Sequence, residues 1–206
     1  MTANIENLTI VRVGNVLTYS TLQELGKRII SSFRGIIRDY QLKHHETPVT
    51  GSIDAFFLTM VLNDEYHGHT LGITDADLKT EDQDEFYNTI IGGKNPRNDV
   101  AVVSTRRLSP EQINSQGDYE LLLNRTVKVS LHEIGHNLGL TDHADYRFGA
   151  EGALCPMSKG EFNKFGYKGY IRAIVDGRGD DFCHECRVFL KTVYGSRAQR
   201  DKAQNS

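Results

Sequence analysis

With 206 residues, 38% of them apolar and 25% charged, the chain is long enough to bury one sizeable core and too apolar to be disordered over most of its length. A net charge of −3 gives no reason to expect a nucleic-acid partner, and no apolar run approaches the roughly 20 residues needed to span a bilayer. The N-terminus has no charged stretch leading into an apolar one, so no secretory leader is read and the chain is expected to stay in the cytoplasm, as a monomer.

Residues Leu8 to Val13 alternate and are rich in branched side chains, which predicts a first strand. Ser20 to Tyr40 reads as a helix with Leu22, Leu25, Ile29, Ile30, Phe33, Ile36 and Ile37 on one side, capped by Ser20 or Thr21. A connection from His44 to Thr50 leads to the apolar run Ile53 to Leu62, taken as a second strand, and His69 to Thr74 forms a third. The acidic residues Asp75, Asp77, Glu81, Asp82, Asp84 and Glu85 lack the regular spacing of a calcium loop and read as a solvated turn. Phe86 to Ile91, ended by Gly92-Gly93, is a candidate edge strand, open to an extended peptide through main-chain hydrogen bonds. Val100 to Ser104 is another strand, Arg106-Arg107 reads as solvated surface, and Ser109-Pro110-Glu111 opens a loop. A helix then runs from about Asp118 to Leu138. Beyond Leu140 the chain is glycine-rich and poor in apolar runs until a closing helix, Phe182 to Tyr194, and a polar tail, 196–206.

The long helix carries His132-Glu133-Ile134-Gly135-His136. Imidazoles four residues apart share one helix face and can reach a single tetrahedral Zn²⁺. A carboxylate beside that ion, Glu133, can take a proton from water whose pKa the metal lowers to roughly 7, the equipment for cleaving an amide. Gly139 suits a left-handed helix end that turns the chain back toward the metal, so a third ligand should follow closely. The usual spacing puts it at 142, which is Asp, with His143 one residue later.

Three cysteines, an odd number, suit a metal site better than a disulfide framework. Cys183-His184-Glu185-Cys186 has the two-residue gap of a zinc knuckle, and with Cys155 and a histidine it would complete a closed site. Structural zinc contributes on the order of 10 kcal/mol to folding, enough to hold a segment with little core. His44-His45, His67 and His69 fit no ligand spacing and read as surface or hydrogen-bonded groups.

In combination, His132 to His143, then Cys155-Pro156-Met157, then Cys183-His184-Glu185-Cys186 resemble the archaemetzincins, a family of zinc metallopeptidases. Leu71 to Leu78 and Val100 to Leu108 look like that family's strand segments, so the resemblance covers about residues 70 to 190. It implies two Zn²⁺ per chain: a catalytic ion on His132 and His136 with Glu133 as general base and Met157 in a turn beneath it, and a structural ion on cysteines. Two departures stand out. The family's His-Cys pair is Asp142-His143 here, and the loop from 143 to Cys155 is several residues longer. Either Asp142 completes the catalytic set and His143 the structural one, or His143 is the third catalytic ligand and the fourth structural donor is another group, such as His184 or Asp142. The first account leaves fewer ligands unexplained. Some metzincins place a tyrosine two residues after the turn methionine; that position is Lys159 here.

The expected fold is α+β and metzincin-like: a twisted mixed sheet with a backing helix, an active-site helix beneath it and an irregular, zinc-stapled C-terminal part. It would form a single metallopeptidase domain over 1–206, with an upper subdomain at 1–139 and a lower one at 140–195. The expected function is zinc-dependent hydrolysis of a peptide or protein substrate lying along the strand near Asn88 to Ile91. A zinc-stabilised peptide-binding protein with vestigial or no hydrolysis is the alternative.

Overall fold

The computed structural model describes residues 5–46, 51–80, 89–95, 98–159, 166 and 168–195. Strand β1 (Ile5–Val13) is followed by helix α1 (Tyr19–Ser32), β2 (Ile37–His45), β3 (Ser52–Asp54), α2 (Ala55–Glu65), β4 (Thr70–Thr74), β5 (Asp77–Lys79), β6 (Thr89–Ile90), β7 (Gly92–Lys94), β8 (Val100–Ser104) and the long helix α3 (Gln116–Asn137). A one-turn π-helix at Ile171–Val175 and helix α4 (His184–Leu190) complete the described elements, with a second π turn at Lys191–Gly195.

The main sheet has the order β2-β1-β4-β8-β7, with the first four strands parallel and β7 antiparallel at the edge. Its central strands are buried on both faces, as parallel strands joined by helical crossovers must be. Alternation divides them between two cores. Leu8, Ile10, Leu71, Ile73, Ala101 and Val103 pack toward α1 and α3. Val11, Val13, Val100 and Val102 face Ala55, Leu58 and Leu62 of α2.

That second core explains the first correction. The run Ile53 to Leu62 is a strand tip followed by α2, because the sheet's far face needs an apolar cover; Asp54 caps the helix, its side chain accepting from the Phe57 N–H. A short apolar run does not distinguish the two states by periodicity. The second correction concerns Ser20 to Tyr40. The helix starts one residue earlier, capped by Thr18, and stops at Ser32. Gly35 takes φ 82° in the turn after it, and Ile37 onward joins β1 as a parallel strand. Third, the edge strand beside α3 is β7, not Phe86 to Ile91: Phe86 to Asn88 lie outside the described residues, and Thr89–Ile90 pairs with β5 in a separate small sheet. Fourth, Arg107 is not solvated surface alone, since its Nε donates to Asp77 Oδ1 at 3.0 Å. Glu81, Asp82, Asp84, Glu85 and the tail 196–206 lie outside the described residues.

Helix α3 is fixed at both ends. Ser115 caps its start in a reciprocal box with Asp118. At its other end Gly139 takes φ 87°, the Leu140 N–H donates to Gly135 O and the Gly139 N–H to His136 O, the paired bonds of a Schellman turn. Midway, Arg125 grips both Asp176 carboxylate oxygens at 2.8 Å and Lys128 donates to Asp176 O at 2.7 Å, fastening the C-terminal segment to the helix. No helix among the described residues is long and apolar enough to cross a membrane.

Candidate metal centres

The Schellman turn folds the chain back so that Asp142 comes beside the two α3 imidazoles. His132 Nδ1 lies 2.9 Å from Pro156 O and His136 Nδ1 lies 3.0 Å from Leu140 O. A carbonyl can only accept, so each ring donates from Nδ1 and, as a neutral imidazole, turns a lone pair inward at Nε2. The two Nε2 atoms are 3.2 Å apart, and Asp142 Oδ1 is 3.4 Å from the first and 3.1 Å from the second. Burial, then the nearby Arg178 and His136 charges, hold the His132 pKa well below its ordinary value, so that ring is neutral. Asp142 Oδ1 is buried and has no hydrogen-bond partner. Acceptor atoms converging without a proton between them repel one another unless a cation lies at their centre. Their spacing matches the edges of roughly 3.3 Å that Zn–N and Zn–O lengths imply for a tetrahedral ion.

Glu133, one residue along α3, is 8% exposed, and burial pushes its carboxyl up to about 7. Below the imidazoles lies Met157, fully buried, in the turn whose Pro156 carbonyl holds His132.

The second cluster gathers His143, Cys155, Cys183 and Cys186, all buried, with ligand atoms within 4.8 Å of one another. His143 Nε2 is 3.2 Å from Cys186 Sγ and 3.3 Å from Cys183 Sγ, and the Cys155 and Cys186 sulfurs are 4.0 Å apart. Zinc bound to three sulfurs and a nitrogen implies edges of roughly 3.5–3.8 Å, close to these. Hydrogen bonding to Cys186, helped by the Cys183 and Met157 N–H groups, lowers the Cys155 thiol to about 5. The same bond to Cys155, burial and the neighbouring sulfur charge push Cys186 up, so further thiolates form there only beside a cation. Of the residues read from sequence, Asp142 thus stands with His132 and His136, and His143 with the cysteines; His184 is exposed and belongs to neither group.

Three neighbours of the first group were not read from the sequence as site residues. Gly92 of β7 lies against Glu133, Arg178 is buried behind the Met157 turn, and Lys159 Nζ reaches Asp142 Oδ2 at 3.2 Å. Among them only Lys159 had a positional signal, through its spacing from Met157.

A mixed sheet whose edge strand runs over a helix with two inward-facing imidazoles, and a turn methionine below them, defines the metzincin-like zinc-peptidase fold. The model of peptidase family M54 matches residues 54–147. An archaemetzincin of Thermococcus kodakarensis is 40% identical over 72 residues, 35% of this chain and 37% of that protein. One from Aeropyrum pernix is 33% identical over 131 residues, 63% of this chain and 56% of that protein. The matches therefore span between about a third and just over half the length of these curated relatives. The crystal structure of archaemetzincin from Methanopyrus kandleri superposes with a TM-score of 0.68 at 23% identity, covering 92% of this chain and 95% of that one. That of the Archaeoglobus fulgidus protein, complexed with malonate, gives 0.60 at 20% identity, covering 89% and 99%. Over residues 54–147 the chain is thus similar to peptidase family M54, and its fold is that of the archaemetzincin crystal structures.

Proposed function

We propose that this chain is a zinc-dependent peptidase in which His132, His136 and Asp142 hold a catalytic Zn²⁺, and in which His143, Cys155, Cys183 and Cys186 hold a second, structural one. The observation carrying this reading is the triangle of inward-facing Nε2, Nε2 and Oδ1 atoms, the last buried without a hydrogen-bond partner. An ion held there polarises a peptide carbonyl and lowers the pKa of the water it binds.

The chain's own groups do the rest. Among the described residues β7 pairs with β8 on one side only, so its other edge can take an extended peptide strand by main-chain hydrogen bonding. Because Gly92 of that strand lies against Glu133, a peptide paired there passes close to the Glu133 carboxylate. A carboxyl group with a pKa of about 7 is suited both to accept a proton from the attacking water and to return it to the leaving amine. The structural ion would tie α4 to the Met157 turn, through Cys183 and Cys186 on one side and Cys155 and His143 on the other.

Replacing Glu133 by Gln tests the reading. The wild-type chain should contain two zinc ions and cleave members of a broad peptide library, whereas Glu133→Gln should keep both ions and lose cleavage by a factor on the order of 10³. If the zinc-replete wild type binds peptides from the library yet cuts none, the chain is a peptide-binding member of the family instead.

A further inference from the structure

Two side chains beside the catalytic group have no part in that scheme, Tyr170 and Arg178. Arg178 is 3% exposed, and its Nε and Nη2 both donate to Ser158 O, at 3.0 and 2.6 Å. Nη2 also reaches the Tyr170 hydroxyl at 3.4 Å. Ser158 directly follows Met157 in the turn whose Pro156 carbonyl orients His132. One hydrogen-bonded run therefore links the phenol, the guanidinium, the turn and an imidazole of the site.

Tyr170 is half-buried, and its hydroxyl is held 3.4 Å from Arg178 Nη2. The phenol lies near enough to Asp142, Glu133 and Lys159 to respond to their charges. Burial raises its pKa, Arg178 opposes this, and the two carboxylates add to the rise, so it keeps its proton at neutral pH. Its oxygen faces a guanidinium, which can only donate, and a phenol whose oxygen accepts from a cation is a stronger O–H donor. The position that supplies a tyrosine in some metzincins is Lys159 here, whereas Tyr170 comes from a different segment, at the foot of the π turn Ile171–Val175.

We propose that Tyr170 is a catalytic residue whose hydroxyl, held in place by Arg178, donates a hydrogen bond to the scissile carbonyl oxygen as that oxygen acquires negative charge. No bond is made or broken at the phenol. It serves as a preorganised donor aimed at charge that exists only in the transition state. The inference rests on the peptidase reading above. Arg178 is a positioning residue: its two bonds to Ser158 O do not depend on the phenol, so removing the hydroxyl leaves the guanidinium anchored.

The test uses the zinc-replete full chain and Tyr170→Phe. Expected are a fall in kcat on the order of 10²-fold, KM within about twofold, and unchanged zinc content and Tm. Calorimetry supplies a readout independent of turnover. A phosphinic peptide, which carries an anionic tetrahedral centre, should bind Tyr170→Phe on the order of 10²-fold more weakly, while the cleavable peptide binds Glu133→Gln and Glu133→Gln/Tyr170→Phe alike. Arg178→Lys should lie between wild type and Tyr170→Phe in kcat. If the wild type cleaves and Glu133→Gln does not, but Tyr170→Phe keeps its kcat, the role of Tyr170 is wrong and the peptidase reading stands. Equal weakening of the phosphinic and cleavable peptides also overturns it, as that marks a packing role. A wild type that cleaves nothing overturns both.

Discussion

Gly92 packs directly against Glu133: a Cβ built on this glycine would come within 2.8 Å of both Glu133 Cγ and Oε1, and 3.0 Å from Val129 Cγ1. The edge strand and α3 approach so closely that any side chain at position 92 must displace the Glu133 side chain. Gly92→Ala should therefore act on catalysis more than on folding, since two of the three obstructing atoms belong to the Glu133 side chain, which can shift. A misplacement of about 1 Å costs on the order of 10²-fold in rate, and steady-state kinetics on the variant should find a kcat loss of about that size with Tm nearly unchanged. Wild-type kinetics in Gly92→Ala would mean that Glu133 has room to work from elsewhere.

Such a contact could not be read from the sequence, and the reason separates what was legible from what was not. Val100 to Ser104 and the long helix were legible because each carries its own period and punctuation. The histidine pair and the knuckle cysteines were legible because ligand spacing is a local constraint. Asp142 and His143 were legible as candidate ligands, with Asp142 favoured beside the histidine pair and His143 beside the cysteines, although one residue of slip around Gly139 would exchange them; the folded turn puts Asp142 with the imidazoles and His143 with the sulfurs. Ile53 to Leu62 misled for a related reason: what made its latter part helical was the far face of a sheet built from strands distant in sequence. Gly92, Tyr170 and Arg178 are ordinary residues in sequence and acquire meaning only through their neighbours.

The Asp142 carboxylate offers a graded test of the first metal group. Asp142→Ala removes one of three converging donors, and zinc competition should find affinity at that site reduced on the order of 10²-fold or more, with the cysteine-bound ion retained. Asp142→His restores a nitrogen donor and should keep both ions. It also removes the partner of Lys159, now 3.2 Å from Asp142 Oδ2, and exchanges an anionic ligand for a neutral one, which strengthens Lewis acidity. Two ions of undiminished affinity in Asp142→Ala would exclude this carboxylate as a ligand.

Removing the second group should be felt as unfolding, not as lost chemistry. The segment around Cys155 is held by hydrogen bonds between loops, among them Cys155 N–H to Arg147 O, Leu154 N–H to Gly177 O, Gly179 N–H to Leu154 O, His143 N–H to Met157 O and the Cys183 N–H to Cys155 Sγ. Cys186→Ser, or a chelator strong enough to strip both sites, should leave the sheet and α1 protected while amides from 143 to 190 exchange freely, because structural zinc supplies on the order of 10 kcal/mol. His132→Ala/His136→Ala should lose one ion and leave that protection in place. Protection of 143 to 190 in metal-free Cys186→Ser would assign the stability of this part to packing alone.

Gly135 sets two effects of known size against each other. Alanine is favoured over glycine inside a helix by about 1 kcal/mol, which alone would make Gly135→Ala stabilising. In the folded chain, however, the added Cβ would lie 2.6 Å from Met157 Sδ, and Met157 is wholly buried under the helix. Overpacking of this kind costs about 1–3 kcal/mol, so the packing term should win and denaturant unfolding should show a net loss of about 1 kcal/mol. The loss should be coupled to the methionine. In a Met157→Ala background the obstruction is gone, and Gly135→Ala should revert to the sign that helix propensity gives it, a coupling of about 2 kcal/mol in the double-mutant cycle. If Gly135→Ala stabilises the wild type, or destabilises both backgrounds equally, the tight seating of the turn methionine against α3 is not what selects glycine at this position.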